Sequence, residues 1–100
     1  MSIADLDPII HAPKRLAVMA LLAHSDECDF AFVRSHVGIS DSDLSKQMSA
    51  LEKAGYVKIT KTGRGRGAST WYRITPTGKT AYTHHVKTLT AIVTATTDAP

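Results

Sequence analysis

The sequence has one cysteine, Cys28, so no internal disulfide can form, and a reducing cytoplasm fits the chain. Long apolar runs are missing too. The longest, Leu16–Ala23, is far shorter than the roughly 20 residues that a bilayer span requires. The N-terminus lacks the charged and apolar layout of a secretory signal. There is no Gly-rich phosphate loop, paired-carboxylate motif or nucleophile elbow. Gly63-Arg64-Gly65-Arg66-Gly67 lacks the strand-then-helix setting of a nucleotide loop. Neither an enzyme nor a cofactor is expected. The histidines suggest no metal site: His84 and His85 are adjacent and point to different faces of a helix, and His11, His24 and His36 have no ligand spacing with them.

Acidic residues are scarce in one half of the chain. Residues 40–87 hold nine Lys/Arg against three Asp/Glu, whereas residues 1–39 hold three against five. A net charge of +3 distributed in this way suggests one surface that meets a polyanion. With 43% apolar and 21% charged residues over 100 positions, the chain reads as one ordinary globular domain.

Local signals then order the elements. Residues 1–12 are a short preamble in which Pro8-Ile9-Ile10 can form a turn of helix. Pro13 suits a first helical position, and Lys14–His24 follows, apolar nearly all round, as the expected central buried helix. Asp29 caps a second helix, Phe30–Val37, closed by Gly38. Ser40-Asp41-Ser42-Asp43 resembles a capping box with Asp in place of Glu, opening a third helix that runs to Ala54 and stops at Gly55. Two helices joined by so tight a turn make a helix-turn-helix. The period then changes: Tyr56–Lys61 alternates as a strand, 62–68 is a glycine-rich loop, and Ser69–Ile74 is a second strand. Thr75 and Pro76 start a last helix reaching about Ala95. The expectation is an α+β, mainly α, winged helix-turn-helix, with residues 13–75 as the domain body and 76–100 as the C-terminal helix and tail.

Several segments, in order and at fitting spacing, also resemble a known family. They are Asp7-Pro8-Ile9-Ile10-His11-Ala12-Pro13 with Arg15-Leu16-Ala17, Val37-Gly38-Ile39-Ser40 with Leu44-Ser45, Leu51–Val57, and Thr70–Gly78. Together they resemble the compact winged-helix transcriptional regulators related to the MarR and ArsR families, over roughly residues 5–90. The resemblance implies a dimeric regulator without a separate effector domain. The thiolate metal motif of ArsR-type sensors is absent.

On the third helix, Leu44, Met48 and Leu51 line one side, and Ser42, Ser45, Lys46, Ser49 and Lys53 the other. An α-helix fits the DNA major groove, where lysine can donate to guanine O6 and N7, so Lys46 is the foremost candidate for a base contact. The serines allow close approach. Gln47 lies nearer the core side, and Asp41 and Asp43 suit capping better than phosphate contact. In the wing, Arg64 and Arg66 sit among glycines where they can enter a minor groove or clasp a phosphate, and Lys58 and Lys61 add positive charge. Of Trp71 and Tyr72, one is expected in the core.

The last helix carries Tyr82, Val86, Leu89 and Val93 on one stripe, beyond what a winged-helix body needs to cover. Together with Ile9 and Ile10 it is the expected face of a symmetric homodimer. The function expected is a sequence-specific double-stranded DNA-binding regulator, a repressor on a pseudo-palindromic operator. A winged helix used only to bind another protein is the competing expectation, and nothing in the sequence supports a small-molecule effector.

Overall fold

The structure, a computed structural model, describes residues 2–63, 65 and 68–95. A 3-10 turn at Ile3–Asp5 leads into α1 (Pro8–His11), α2 (Pro13–Ala23), β1 (Cys28–Asp29), α3 (Phe30–Val37), α4 (Asp41–Lys53), β2 (Val57–Thr62), β3 (Ser69–Ile74) and α5 (Pro76–Thr94). The strands form one antiparallel sheet in the order β1-β3-β2.

The helix starts follow from their caps. Asp29 accepts from the Phe32 amide, Ser40 from Asp43 and Thr75 from Gly78, each satisfying a donor that the first turn would leave without a partner. Between α3 and α4, Gly38 adopts φ 76°, a left-handed conformation that costs a residue with a Cβ about 1–2 kcal/mol. Its N–H returns to the Arg34 carbonyl at 2.8 Å, which closes α3 and turns the chain directly into α4.

The core joins every layer: Ile10 from α1, Val18, Met19 and Leu22 from α2, Val33 from α3, Leu44, Met48 and Leu51 from α4, and Cys28, Val57 and Tyr72 from the sheet. In β3 the strand alternation decides between the two aromatics. Tyr72 points inward opposite Ile59 and Cys28, and burial pushes its phenol up to about 12. Trp71 lies on the other face, half-buried, opposite Thr60 and Asp29.

One expectation needs correcting. The sheet has a third strand, β1, besides the hairpin. Two residues are too short to show alternation, and their pairing with β3 is a long-range contact. The expected central helix is α2: it buries Val18, Met19 and Leu22 and touches α1, α3, α4, α5 and β3, while Ala17, which loses little by facing water, is exposed.

Candidate nucleic-acid interface

The third helix of the body, α4, is held by an apolar face on which Leu44, Met48 and Leu51 are at most 1% exposed. Ser42, Ser45, Lys46, Ser49 and Lys53 are all exposed and follow i, i+3, i+4, i+7, i+11 spacing. They form one stripe on the side away from the core. The helix is about 20 Å long at 1.5 Å per residue, and its outer stripe is small side chains with two lysines, a shape and charge suited to the major groove.

The carboxylates at the start of α4 are compensated rather than bare. Asp41 is paired with Arg34 of α3 at 2.8 Å. Asp43 is paired with Lys14 of α2 and accepts from the Gln47 side chain at 2.9 Å. The hydrogen bond from Lys14, then that from Gln47, holds the Asp43 carboxyl below the usual carboxylate range. The half of the capping box that would have used Asp43 is therefore redirected to these partners, while Ser40 caps the Asp43 amide. Gln47, set aside in the sequence as lying toward the core, is only 8% exposed and accepts from Arg15 at 2.8 Å.

In the hairpin, Lys61 is exposed on β2 opposite Thr70, and Lys58 is exposed opposite Arg73. Arg64 and Arg66 lie outside the described residues. Of the residues assigned to a dimer face, Val86 is 36% and Val93 73% exposed, and Tyr82 and Leu89 are half-buried. Ile3, at 77%, is exposed as well. Ile10 has no exposed surface: it fills the core beneath α1 and has nothing to present to a second chain. Ile9 is half-buried against the same core.

Sequence reasoning missed a buried polar junction between α5 and the N-terminal segment. His85 is fully buried, and its Nδ1 accepts from the Asp7 backbone N–H at 3.1 Å. That geometry places the neutral ring's proton on Nε2, which faces Nδ1 of His11 at 3.4 Å. The Asp7 carboxylate caps α1 through Ile9 and Ile10 and accepts from the Tyr56 hydroxyl. That hydrogen bond, with burial, pushes the Tyr56 phenol up to about 12. Burial, then the neighbouring His11, lowers the His85 pKa. His85 lies three residues after Tyr82 and so beside the apolar stripe of α5, but no local pattern reveals partners 74 to 78 residues away. Among the described residues, no group of three or more His, Cys, Asp and Glu could hold a metal ion, and no helix is long and apolar enough to cross a membrane.

Comparison with known proteins agrees with this arrangement. The winged helix DNA-binding domain family matches residues 14–93. The structure of a transcriptional regulator homologue from Pyrococcus horikoshii is similar at a TM-score of 0.79 and 25% identity, over 85% of this chain and 84% of that one. A homodimeric winged helix-turn-helix DNA-binding domain from Mycobacterium bovis, a possible ArsR-family regulator, shares the fold at a TM-score of 0.72 and 18% identity, over 98% and 87%. An uncharacterized protein of Methanocaldococcus jannaschii is 24% identical over 78 residues, covering 78% of this chain and 85% of its own length. The chain belongs to the winged helix DNA-binding domain family and is a DNA-binding transcriptional regulator.

Proposed function

We propose that the protein is a homodimeric repressor that sets two copies of α4 in successive major grooves of a pseudo-palindromic operator. The observation that carries this reading is the exposed stripe of Ser42, Ser45, Lys46, Ser49 and Lys53 on a helix whose other face is buried in the core. Lys46 contacts base edges, the serines permit close approach, and Lys53 with Lys61 neutralises phosphates. Arg64 and Arg66 reach the backbone or a minor groove from the wing. The reading assigns the chain no catalytic step and a cytoplasmic location.

Dimerisation rests on the stripe of α5. Val86 and Val93 are exposed apolar side chains continuing a row begun by Tyr82 and extended by Leu89, and Ile3 adds to it from the N-terminal segment. A second copy covering that row by twofold symmetry removes it from water and fixes the distance between the two recognition helices. The Mycobacterium bovis relative, a homodimer of the same fold, supports this choice. Sedimentation equilibrium tests it: the wild type is expected as a dimer, and Val86→Asp with Val93→Asp as a folded monomer. A footprint on DNA selected by the protein is expected to show two protected patches about 34–36 Å apart. A monomeric wild type, or a single protected patch, contradicts the dimeric reading.

A further inference from the structure

We propose that Arg15, acting through Gln47, is a positioning residue for DNA reading: it fixes the roll of α4 about its own axis and so sets where Lys46 and the serines point. The inference rests on the DNA-binding role of α4 and names the device that aims it.

An apolar face holds a helix against a body without dictating its rotation closely, because hydrophobic contact is non-directional. Hydrogen bonds do dictate it. Here two consecutive residues of α2 grip two residues of α4 one turn apart. Lys14 is paired with the Asp43 carboxylate through Oδ2. Arg15 donates from Nη1 to Oε1 of Gln47 at 2.8 Å, and Gln47 donates from Nε2 to Oδ1 of Asp43 at 2.9 Å. The amide can face only one way, since a flip would set its NH2 against the guanidinium and its oxygen against the carboxylate. Arg15 is itself anchored, because its Nε donates to the Ile9 carbonyl at 2.6 Å. The guanidinium fork therefore ties α1, α2 and α4 together.

Gln47 is buried at a position where an apolar residue would satisfy the core, so its amide has a directional rather than a space-filling use. It is also the immediate neighbour of Lys46. A roll of about 20° moves a side-chain tip roughly 6 Å from the helix axis by about 2 Å, enough to lose a base-edge hydrogen bond. Phosphate contacts tolerate such a shift better, because long lysine and arginine side chains follow the backbone.

The test separates aim from attraction. Wild type, Arg15→Met, Arg15→Lys, Gln47→Met and the double variant Arg15→Met/Gln47→Met are titrated with a duplex selected by the wild type from a random pool, and with a scrambled duplex at the same salt. Each methionine variant is expected to lose about 10-fold or more in the ratio of selected to scrambled affinity, while scrambled affinity changes by less than about 3-fold. The double variant is expected to lose no more than the worse single one, because both break one linkage. Arg15→Lys keeps the charge without the fork and is expected not to restore the ratio. Thermal melts identify any variant that fails to fold; Gln47→Met, which keeps the site filled, then carries the test. An unchanged ratio in folded variants, or full rescue by Arg15→Lys, overturns the proposal while leaving DNA binding intact. A wild type that retains no duplex even at low salt overturns the DNA reading itself.

Discussion

Replacing Gly78 with Ala sets two physical effects against each other. Gly78 is the third residue of α5, where helix propensity alone favours alanine by about 1 kcal/mol. The structure predicts the opposite sign. A Cβ built there lies 2.1 Å from the Tyr56 carbonyl oxygen and under 3 Å from its carbonyl carbon and Cα. All three are backbone atoms, so no side chain can swing aside, and the start of β2 must separate from α5 by about 1 Å or more to restore ordinary contact. The same carbonyl accepts from the Thr75 amide at 3.0 Å, and Thr75 also donates to the Gly55 carbonyl while capping Gly78. Overpacking of this kind costs about 1–3 kcal/mol, and a compromised hydrogen bond at the junction about 1–3 more. Set against the propensity gain, the net loss is about 1–5 kcal/mol. For a domain of this size that is a fall in Tm of roughly 4–40 °C, measurable by calorimetry or circular dichroism. Gly38→Ala is the comparator: its Cβ meets nothing within 4 Å, but φ of 76° costs about 1–2 kcal/mol. A Gly78→Ala protein that melts at or above the wild-type temperature refutes the close-approach reasoning.

Acidification should weaken the fold through His85. Its folded pKa is depressed below the ordinary value of about 6.5, so its contribution is fully present above that pH and is lost as pH falls toward the folded value. Urea unfolding between pH 8 and pH 5 is expected to show stability falling below about pH 6.5, and His85→Asn, which offers an acceptor to Asp7 but takes no proton, a flatter profile; an identical profile contradicts the assignment. Ser40→Ala removes the side-chain cap of α4 and is expected to cost about 1 kcal/mol in the same assay, with no loss counting against the cap.

Much of this fold was legible because its punctuation is local. Asp29, Ser40 and Thr75 act as caps, Gly38 and Gly55 take positive φ, and β3 pairs over the expected residues while β2 is shifted by one, pairing over Val57–Thr62 where Tyr56–Lys61 was expected. What escaped depends on contacts between distant positions. β1 exists only because Cys28 and Asp29 find Tyr72 and Trp71, and Ile10 is core only because α1 folds beneath the helices. The outward stripe of α4 follows from helical period, which sequence reveals well. The grip of Lys14 and Arg15 on that helix does not, because a lysine and an arginine in the first turn of a helix read equally well as solvated charge.

The central claim, that the face of α4 bearing Lys46 reads duplex DNA, is tested most directly by a salt series. Wild type and Lys46→Ala are titrated with a duplex selected by the wild type and with a scrambled one, from about 50 to 200 mM salt. The expected result is wild-type affinity that falls linearly in log–log form with a slope near −0.9 for each phosphate neutralised, and a loss of roughly 5- to 100-fold for Lys46→Ala on the selected duplex. A wild type that retains neither duplex at the lowest salt, or a Lys46→Ala protein that binds the selected duplex as tightly as wild type, contradicts it.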